Sequence, residues 1–186
     1  MAGLAEKKRP MTFAEAAELD PDEAPGELDG GEWVQMTRNT WLHGKILINV
    51  GFVLKRYTHE HPEWSVSGGD PGTKLGQNPD ILRGPDVGVV RREREPSGKG
   101  QAGWLEGAPD LAVEVSGDQQ SASDLARKAL EYLGAGAQMV WVIDPEPKRV
   151  MVYTPPSNIQ VLGEDDTLDA TDVLPGFSCR VGELFD

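Results

Sequence analysis

The sequence predicts one α/β domain. Two short apolar or β-branched runs, residues 110–115 and 139–143, flank a helical segment at residues 121–133. Strand, helix and strand in this order form the repeating unit of an α/β sheet. A longer helical pattern runs from Trp41 to about Thr58, where apolar residues recur every three or four positions. With 186 residues, the folded chain can bury about 70% of its unfolded surface, which suits one domain with a complete core.

A short helix is predicted before the long one. Thr12, followed by Glu15 three residues later, matches a capping box and predicts a helix that reaches about Leu19. The ten residues before it are polar. We therefore expect residues 1–10 to be disordered and residues 11–186 to form the single domain.

Glycine and proline mark the regions on either side of the long helix. Gly30-Gly31 separates Glu27-Leu28 from the alternating residues 33–36, which predicts an N-terminal β-hairpin. Residues 64–67 favour a strand. Residues 68–79 are rich in Gly, Pro, Asp and Asn and predict a loop.

The second half of the chain supplies the remaining predicted strands. Residues 86–90 are β-branched and predict a strand. The helix at 121–133 begins with a second capping box, formed by Ser121 and Asp124. After residues 139–143, a Pro-containing turn predicts that residues 149–153 return as an antiparallel hairpin partner.

The composition limits the classes of function. The chain has 18 Lys and Arg against 31 Asp and Glu, a formal net charge of −13, which disfavours constitutive tight binding to polyanions. An excess of carboxylates favours hard cations where several of them converge. Cys179 is the single cysteine, which excludes an intrachain disulfide and a Cys-based metal site within one chain. The N-terminal residues lack a signal-peptide pattern and residues 132–143 are too short to span a bilayer, so we expect a cytoplasmic protein without membrane contacts.

The alternation of side chains along two predicted strands identifies two acidic residues as candidates for a site. Within residues 110–115 the apolar odd-numbered side chains share one face, and Glu114 points to the other. Asp86 and Gly88 likewise share a face of their strand, and Gly88 leaves room there. Two neighbouring strands could thus present one carboxylate each to a common site.

A lysine follows on the next helix. Lys128 lies at the rim of the buried face of helix 121–133. Two carboxylates and a lysine suit metal-assisted phosphodiester hydrolysis, in which Asp86, Glu114 and the carbonyl of Val115 would hold Mg²⁺ and Lys128 would orient water or neutralise charge. An equally weighted alternative is that Glu114 is a buried acid paired with Lys128 or Arg127.

Several segments, in order, resemble one family. They are Gly-Pro-Asp86-Val-Gly-Val-Val, Pro-Asp-Leu-Ala-Val-Glu114-Val-Ser, the helix from Asp124 through Lys128 to Gly136, and Trp141-Val-Ile-Asp144-Pro. Together they resemble the Uma2 family, endonucleases related to the PD-(D/E)XK nucleases. The resemblance implies a restriction-endonuclease-like fold, with a mixed central sheet flanked by helices, that cleaves DNA with Mg²⁺ or Mn²⁺. It assigns the acids to Asp86 and Glu114, and to Lys128 the role of the lysine that the wider superfamily has at the position of Ser116.

Four further residues are weaker candidates for the site. Glu27 and Glu32 match acidic positions of the family, although both would also suit the solvated surface of a hairpin. His43 could contact a phosphate or a water, or pack against its neighbours. Gln119 could bind a nucleic-acid backbone or stabilise a polar turn.

Two other functions and an assembly state complete the expectations. A catalytically silent scaffold that keeps the fold would use the same charges for structural ion pairs. A hydrolase of small molecules would use the same metal pocket, since the sequence has no DNA-reading motif. We also expect a homodimer or a larger homo-oligomer, because duplex cleavage needs two sites and because we expect Trp33, Trp104 and Phe185 to be exposed.

Overall fold

The computed structural model describes residues 9–19, 25–117 and 120–186. The helices among these residues are α1 (Phe13–Ala16), α2 (Trp41–Glu60) and α3 (Ala122–Gly134). The strands are β1 (Gly26–Asp29), β2 (Glu32–Gln35), β3 (Trp64–Gly68), β4 (Thr73–Gly76), β5 (Ile81–Arg83), β6 (Val87–Arg91), β7 (Leu105–Glu106), β8 (Leu111–Val115), β9 (Met139–Asp144), β10 (Arg149–Thr154), β11 (Asn158–Leu162), β12 (Thr167–Asp169) and β13 (Ser178–Arg180).

A six-stranded mixed sheet forms the centre of the fold. Its strand order is β11-β10-β9-β8-β6-β3, and β8 and β9 are parallel because α3 connects them as a crossover helix. The neighbouring pairs β6 with β8 and β9 with β10 are antiparallel. A second sheet of order β2-β1-β5-β4-β7 and a small β12-β13 ladder complete the described strands.

The two faces of the central sheet are covered by different helices. Leu111, Val113 and Val115 point into a large apolar cluster with α2 and the C-terminal segment. The opposite face, which includes Ala112, packs against the amphipathic side of α3. The alternation predicted for β8 is therefore correct, and Glu114 points to the α3 face.

The predicted helices are present, and the differences lie at their ends and between them. Helix α1 ends at Ala16, because the backbone tightens there into turns with bonds to the third preceding residue. The predicted loop at 68–79 is partly wrong, since it contains β4. Strands β5 and β7 were not expected and pair with β4 on either side. These short strands form through distant pairing, which local composition does not reveal.

The residues expected to be exposed are not exposed. Phe185 is buried in the main cluster, and Trp33 and Trp104 pack against a small cluster around Phe13 and Leu28. This argument for self-association was therefore wrong in its choice of residues. Of the ten residues expected to be disordered, only Arg9 and Pro10 lie within the described part, and Arg9 forms an ion pair with Glu15. Among the described residues, every helix is too short or too polar to cross a membrane.

Candidate active site

A pocket of about 430 Å³ opens at one end of the central sheet. Its wall includes Glu27 from β1, His43 from α2, Asp86 before β6, Glu114 from β8 and Lys128 from α3. Five separate parts of the fold therefore contribute ionisable side chains to one cavity. All five of these residues are at least nine-tenths buried.

Asp86 and Glu114 occupy facing positions on neighbouring strands. Val87 pairs with Val113 in the antiparallel β6–β8 ladder, so Asp86, one residue earlier, stands opposite Glu114. Asp86 lies just before β6, so the observed strand begins one residue later than the predicted strand of residues 86–90. Its Oδ2 accepts a hydrogen bond of 2.6 Å from the backbone N–H of Val115. Because the N–H and C=O of a strand residue point to the same side, the Val115 carbonyl also faces the Asp86 side.

His43 supports Asp86 from the first turn of α2. The Thr40 side chain caps this helix by accepting a hydrogen bond from the N–H of His43. Nε2 of His43 lies 2.8 Å from Oδ1 of Asp86. Burial lowers the pKa of His43, but the hydrogen bond to Asp86 and the negative charges of Asp86 and Asp70 outweigh it, so the pKa is raised overall. The His43 ring thus holds one carboxylate oxygen of Asp86 in place.

Glu114 is the most deeply buried acid of the pocket. Its Oε1 accepts a hydrogen bond of 2.8 Å from the Tyr132 hydroxyl, and its Oε2 lies 3.8 Å from the ammonium of Lys128. Burial, together with the charges of Asp86 and Glu27, raises the pKa of Glu114 to about 8, although Lys128 and Tyr132 act in the opposite direction. Without a metal ion, Glu114 therefore keeps its proton at neutral pH.

Lys128 makes its closest ion pair with Glu27. Its Nζ lies 2.9 Å from both carboxylate oxygens of Glu27, nearer than to Glu114. Burial lowers the pKa of Lys128, but the negative charges of Glu114 and Glu27 have the larger combined effect. The pKa is therefore raised overall, and the side chain stays an ammonium. Glu27 also accepts a hydrogen bond of 3.1 Å from the N–H of Gly84. Of the two acidic hairpin candidates, Glu27 is therefore the one that reaches the pocket.

Two residues of the pocket wall, and one that contacts Glu114, were not identified from the sequence. Arg83 is buried and forms ion pairs with Glu27, Asp29 and Glu131. Its strand was not predicted, so no sequence pattern placed its side chain at the pocket. Tyr132 was expected on the buried face of its helix, but its hydroxyl contact with Glu114 depends on the tertiary fold.

Asp70 is the third missed residue. It lies in the segment between β3 and β4 with a φ of +57° and contributes to the pocket wall. Asp70 as a whole residue is exposed, but desolvation of its carboxyl and the charges of Asp86 and Glu27 raise its pKa to about 6. The composition of residues 68–79 predicts only a loop at this position.

Two sequence candidates do not join the site. Glu32 lies exposed on β2 and is absent from the pocket wall. Gln119 lies outside the described residues. Across residues 9–19, 25–117 and 120–186, no three His, Cys, Asp or Glu side chains are arranged as a ready metal site. The basic residues near β6 are held within the chain, with Arg91 over the ring of Trp64 and Arg94 paired with Asp110.

The architecture and the pocket define a class. The mixed sheet, the crossover helix and the acids at neighbouring strand ends form a restriction-endonuclease-like α/β fold. A protein from Anabaena variabilis ATCC 29413, described as "a putative nuclease belonging to DUF820", has the same fold, with a TM-score of 0.82 and 24% sequence identity over 95% of this chain and 98% of that chain. The family model described as "Uma2: Putative restriction endonuclease" matches residues 12–182. The chain belongs to the Uma2 family, as its motifs predicted. No curated protein matches the sequence.

Proposed function

We propose that the protein is a Mg²⁺-dependent endonuclease that hydrolyses DNA phosphodiester bonds in the pocket of Asp86, Glu114 and Lys128. The family and the fold support a nuclease function. The observation that carries the finer assignment is the facing position of Asp86 and Glu114 beside a buried lysine. Mn²⁺ would serve in place of Mg²⁺, because both cations accept oxygen ligands.

The donor set of the pocket suits a hard divalent cation. Asp86, Glu114 and the Val115 carbonyl offer oxygen ligands, and Mg²⁺ usually needs one or two protein carboxylates because it keeps several waters. Burial is the main cause of the raised pKa of Glu114, and the nearby charges of Asp86 and Glu27 add to it, so a bound cation would have to displace the proton of this carboxyl. When bound, the cation would polarise the phosphate and lower the pKa of a water.

Other side chains of the pocket would orient the metal ligands, the water and the DNA. His43 and the Val115 N–H fix the orientation of Asp86. Lys128, held by Glu27, would donate hydrogen bonds to the attacking water or to a phosphate oxygen that gains negative charge. Arg38, at the wall of the pocket, would attract the DNA backbone.

A structural role for the same charges has one observation in its favour. Lys128 lies closer to Glu27 than to Glu114, as expected if the pocket is an ion-pair network in a silent scaffold. A hydrolase of small phosphodiesters would use the pocket as proposed for DNA. The assay below separates the three functions.

The test is cleavage of supercoiled plasmid DNA, with a small phosphodiester assayed in parallel. We expect cleavage with Mg²⁺ or Mn²⁺, none with EDTA, and a loss of at least a hundredfold in Asp86→Asn and Glu114→Gln. Glu32→Gln is the matched control, because this exposed carboxylate lies outside the pocket. A wild-type protein that cleaves no DNA with any cation would contradict the proposal, and cleavage of the small substrate alone would favour the third function.

A further inference from the structure

Helix α2 carries large apolar side chains on the face that points away from the sheet. The exposed fractions are 93% for Trp41, 70% for Ile48 and 64% for Phe52. At 100° per residue, these three residues lie within about 40° of one another around the helix. We name them the α2 stripe. A row of large exposed apolar side chains marks an interaction surface more often than a free one.

The spacing of the α2 stripe is that of a helix-packing seam. With Lys45 and Lys55, the stripe gives positions separated alternately by four and three residues. This spacing keeps one face of a helix against a partner helix along its length. The stems of the lysines can pack in such a seam while their ammonium groups reach water. The surface is therefore shaped for another helix.

Two glycines border the α2 stripe on one side. Gly44 and Gly51 lie within α2, and a Cβ built at either position meets nothing within 4 Å. Packing inside the chain therefore does not require glycine at these positions. Glycine also lowers the stability of a helix relative to alanine, so its presence here needs another reason. Small residues at a helix surface allow a second backbone to approach closely. The glycines thus indicate a partner that is absent from a single chain.

The opposite border of the α2 stripe carries charges of both signs. The Lys45 ammonium lies 3.4 Å from the Phe185 carbonyl, and Arg56 lies 3.9 Å from Glu183. Asp186 is adjacent, since its carbonyl accepts a hydrogen bond from Asn49. When two antiparallel helices pack about a two-fold axis, the same border of each helix meets in reverse direction. Charges of both signs on that border can then pair across the axis.

We propose that the occupant of the α2 stripe is a second copy of this chain, packed as an antiparallel α2–α2 pair about a two-fold axis near Ile48. The self-complementary charges and the glycine border favour a second copy. An anionic lipid surface or a nucleic acid is disfavoured, because the chain has a net charge of −13 and the stripe is apolar. The proposal does not depend on the nuclease assignment.

The test is the molar mass in solution, measured by light scattering up to about 100 µM, because a dimer is stable only above its dissociation constant. We expect twice the 20.2 kDa of one chain for the wild type and 20.2 kDa for Ile48→Glu. Leu130→Glu is the matched control, because Leu130 is a half-exposed apolar residue on another helix, and it should remain dimeric. Gly51→Gln should raise the dissociation constant at least tenfold with an unchanged circular dichroism spectrum.

A cross-linking experiment adds evidence that a destabilised variant cannot imitate. Ile48→Cys should form a disulfide-linked dimer on mild oxidation, and Leu130→Cys should not. The native Cys179 is buried and should not compete. The proposal is overturned by a wild-type mass of 20.2 kDa at the highest concentration, by a dimer that survives Ile48→Glu, or by a dimer that Val161→Glu on the edge strand β11 breaks instead.

Discussion

The carboxylate of Asp86 accepts a hydrogen bond of 2.6 Å from the backbone N–H of Val115. This bond connects the residue before β6 to the last residue of β8. It fixes Asp86 next to Glu114, although the two acids are far apart in the sequence. Together with the contact between His43 and the other oxygen of Asp86, this bond sets the geometry of the proposed metal site.

Lys128→Ala should separate catalysis from metal binding. Loss of one preorganised donor of positive charge should lower the cleavage rate by about 10² to 10³, while Mn²⁺ affinity changes little. Both are measured, by plasmid cleavage and by titration calorimetry. Lys148→Ala is the control, since Lys148 is a half-exposed lysine that lies outside the pocket wall.

In the scaffold function the same variant behaves differently. Truncation of Lys128 would leave Glu27 and Glu114 without their shared cation, which costs about 3 to 5 kcal/mol in the free energy of unfolding for a buried pair. A strongly destabilised Lys128→Ala, together with a wild-type protein that has no cleavage activity, would contradict the nuclease assignment.

Glu114 should make the metal-free protein less stable as the pH rises. Its pKa is raised from 4.5 to about 8 in the folded state, so the folded protein keeps a proton that the unfolded chain loses between these values. The stability that this proton provides is complete below about pH 4.5 and is lost as the pH rises through about 8. Urea unfolding in EDTA at several pH values should show a flatter profile for Glu114→Gln. Identical slopes for the two proteins would refute the burial of an uncompensated acid.

A divalent cation should stabilise the wild-type protein. At about a hundred times its dissociation constant, a ligand of the folded state adds about 2.7 kcal/mol. For a chain of this length that corresponds to a rise of roughly 5 to 10 °C in melting temperature. The rise should be absent in Asp86→Asn and should be reversed by EDTA. An equal rise in Asp86→Asn would place the cation elsewhere.

The thiol of Cys179 should resist modification in the folded protein. Burial raises its pKa to about 12, so the reactive thiolate is scarce at neutral pH. Labelling with a thiol reagent should be slow in buffer and complete in urea. Rapid labelling of the native protein would show that the C-terminal segment opens readily.

The parts of the site that follow local patterns could be predicted from the sequence. Glu114 was found by strand alternation and Lys128 by helical periodicity, because both patterns depend on residues close in the chain. If the two strands are taken as neighbours, the same alternation also predicts that Asp86 and Glu114 lie side by side. The capping boxes at Thr12 and Ser121 are also local, and both are present.

The remaining parts depend on contacts between distant residues. Arg83 meets Glu131 and Glu27 only after β5 has joined β1, and the three residues of β5 are too few for a strand pattern. The Tyr132 hydroxyl finds Glu114 because α3 lies on that face of the sheet. Self-association was expected for the wrong residues, because the apolar content of a sequence does not reveal which side of a helix such as α2 stays uncovered.

The most direct test of the account is the position of a bound cation in a crystal soaked with Mn²⁺. We predict an anomalous scattering peak in the pocket, with oxygens of Asp86 and Glu114 at about 2.0 to 2.6 Å from the ion. Crystals of the Glu114→Gln variant, soaked in the same way, should lack the peak. A peak elsewhere would contradict the metal site and with it the proposed mechanism. So would a soaked wild-type crystal without an ion in the pocket, in which Lys128 alone balances the charge of the acids.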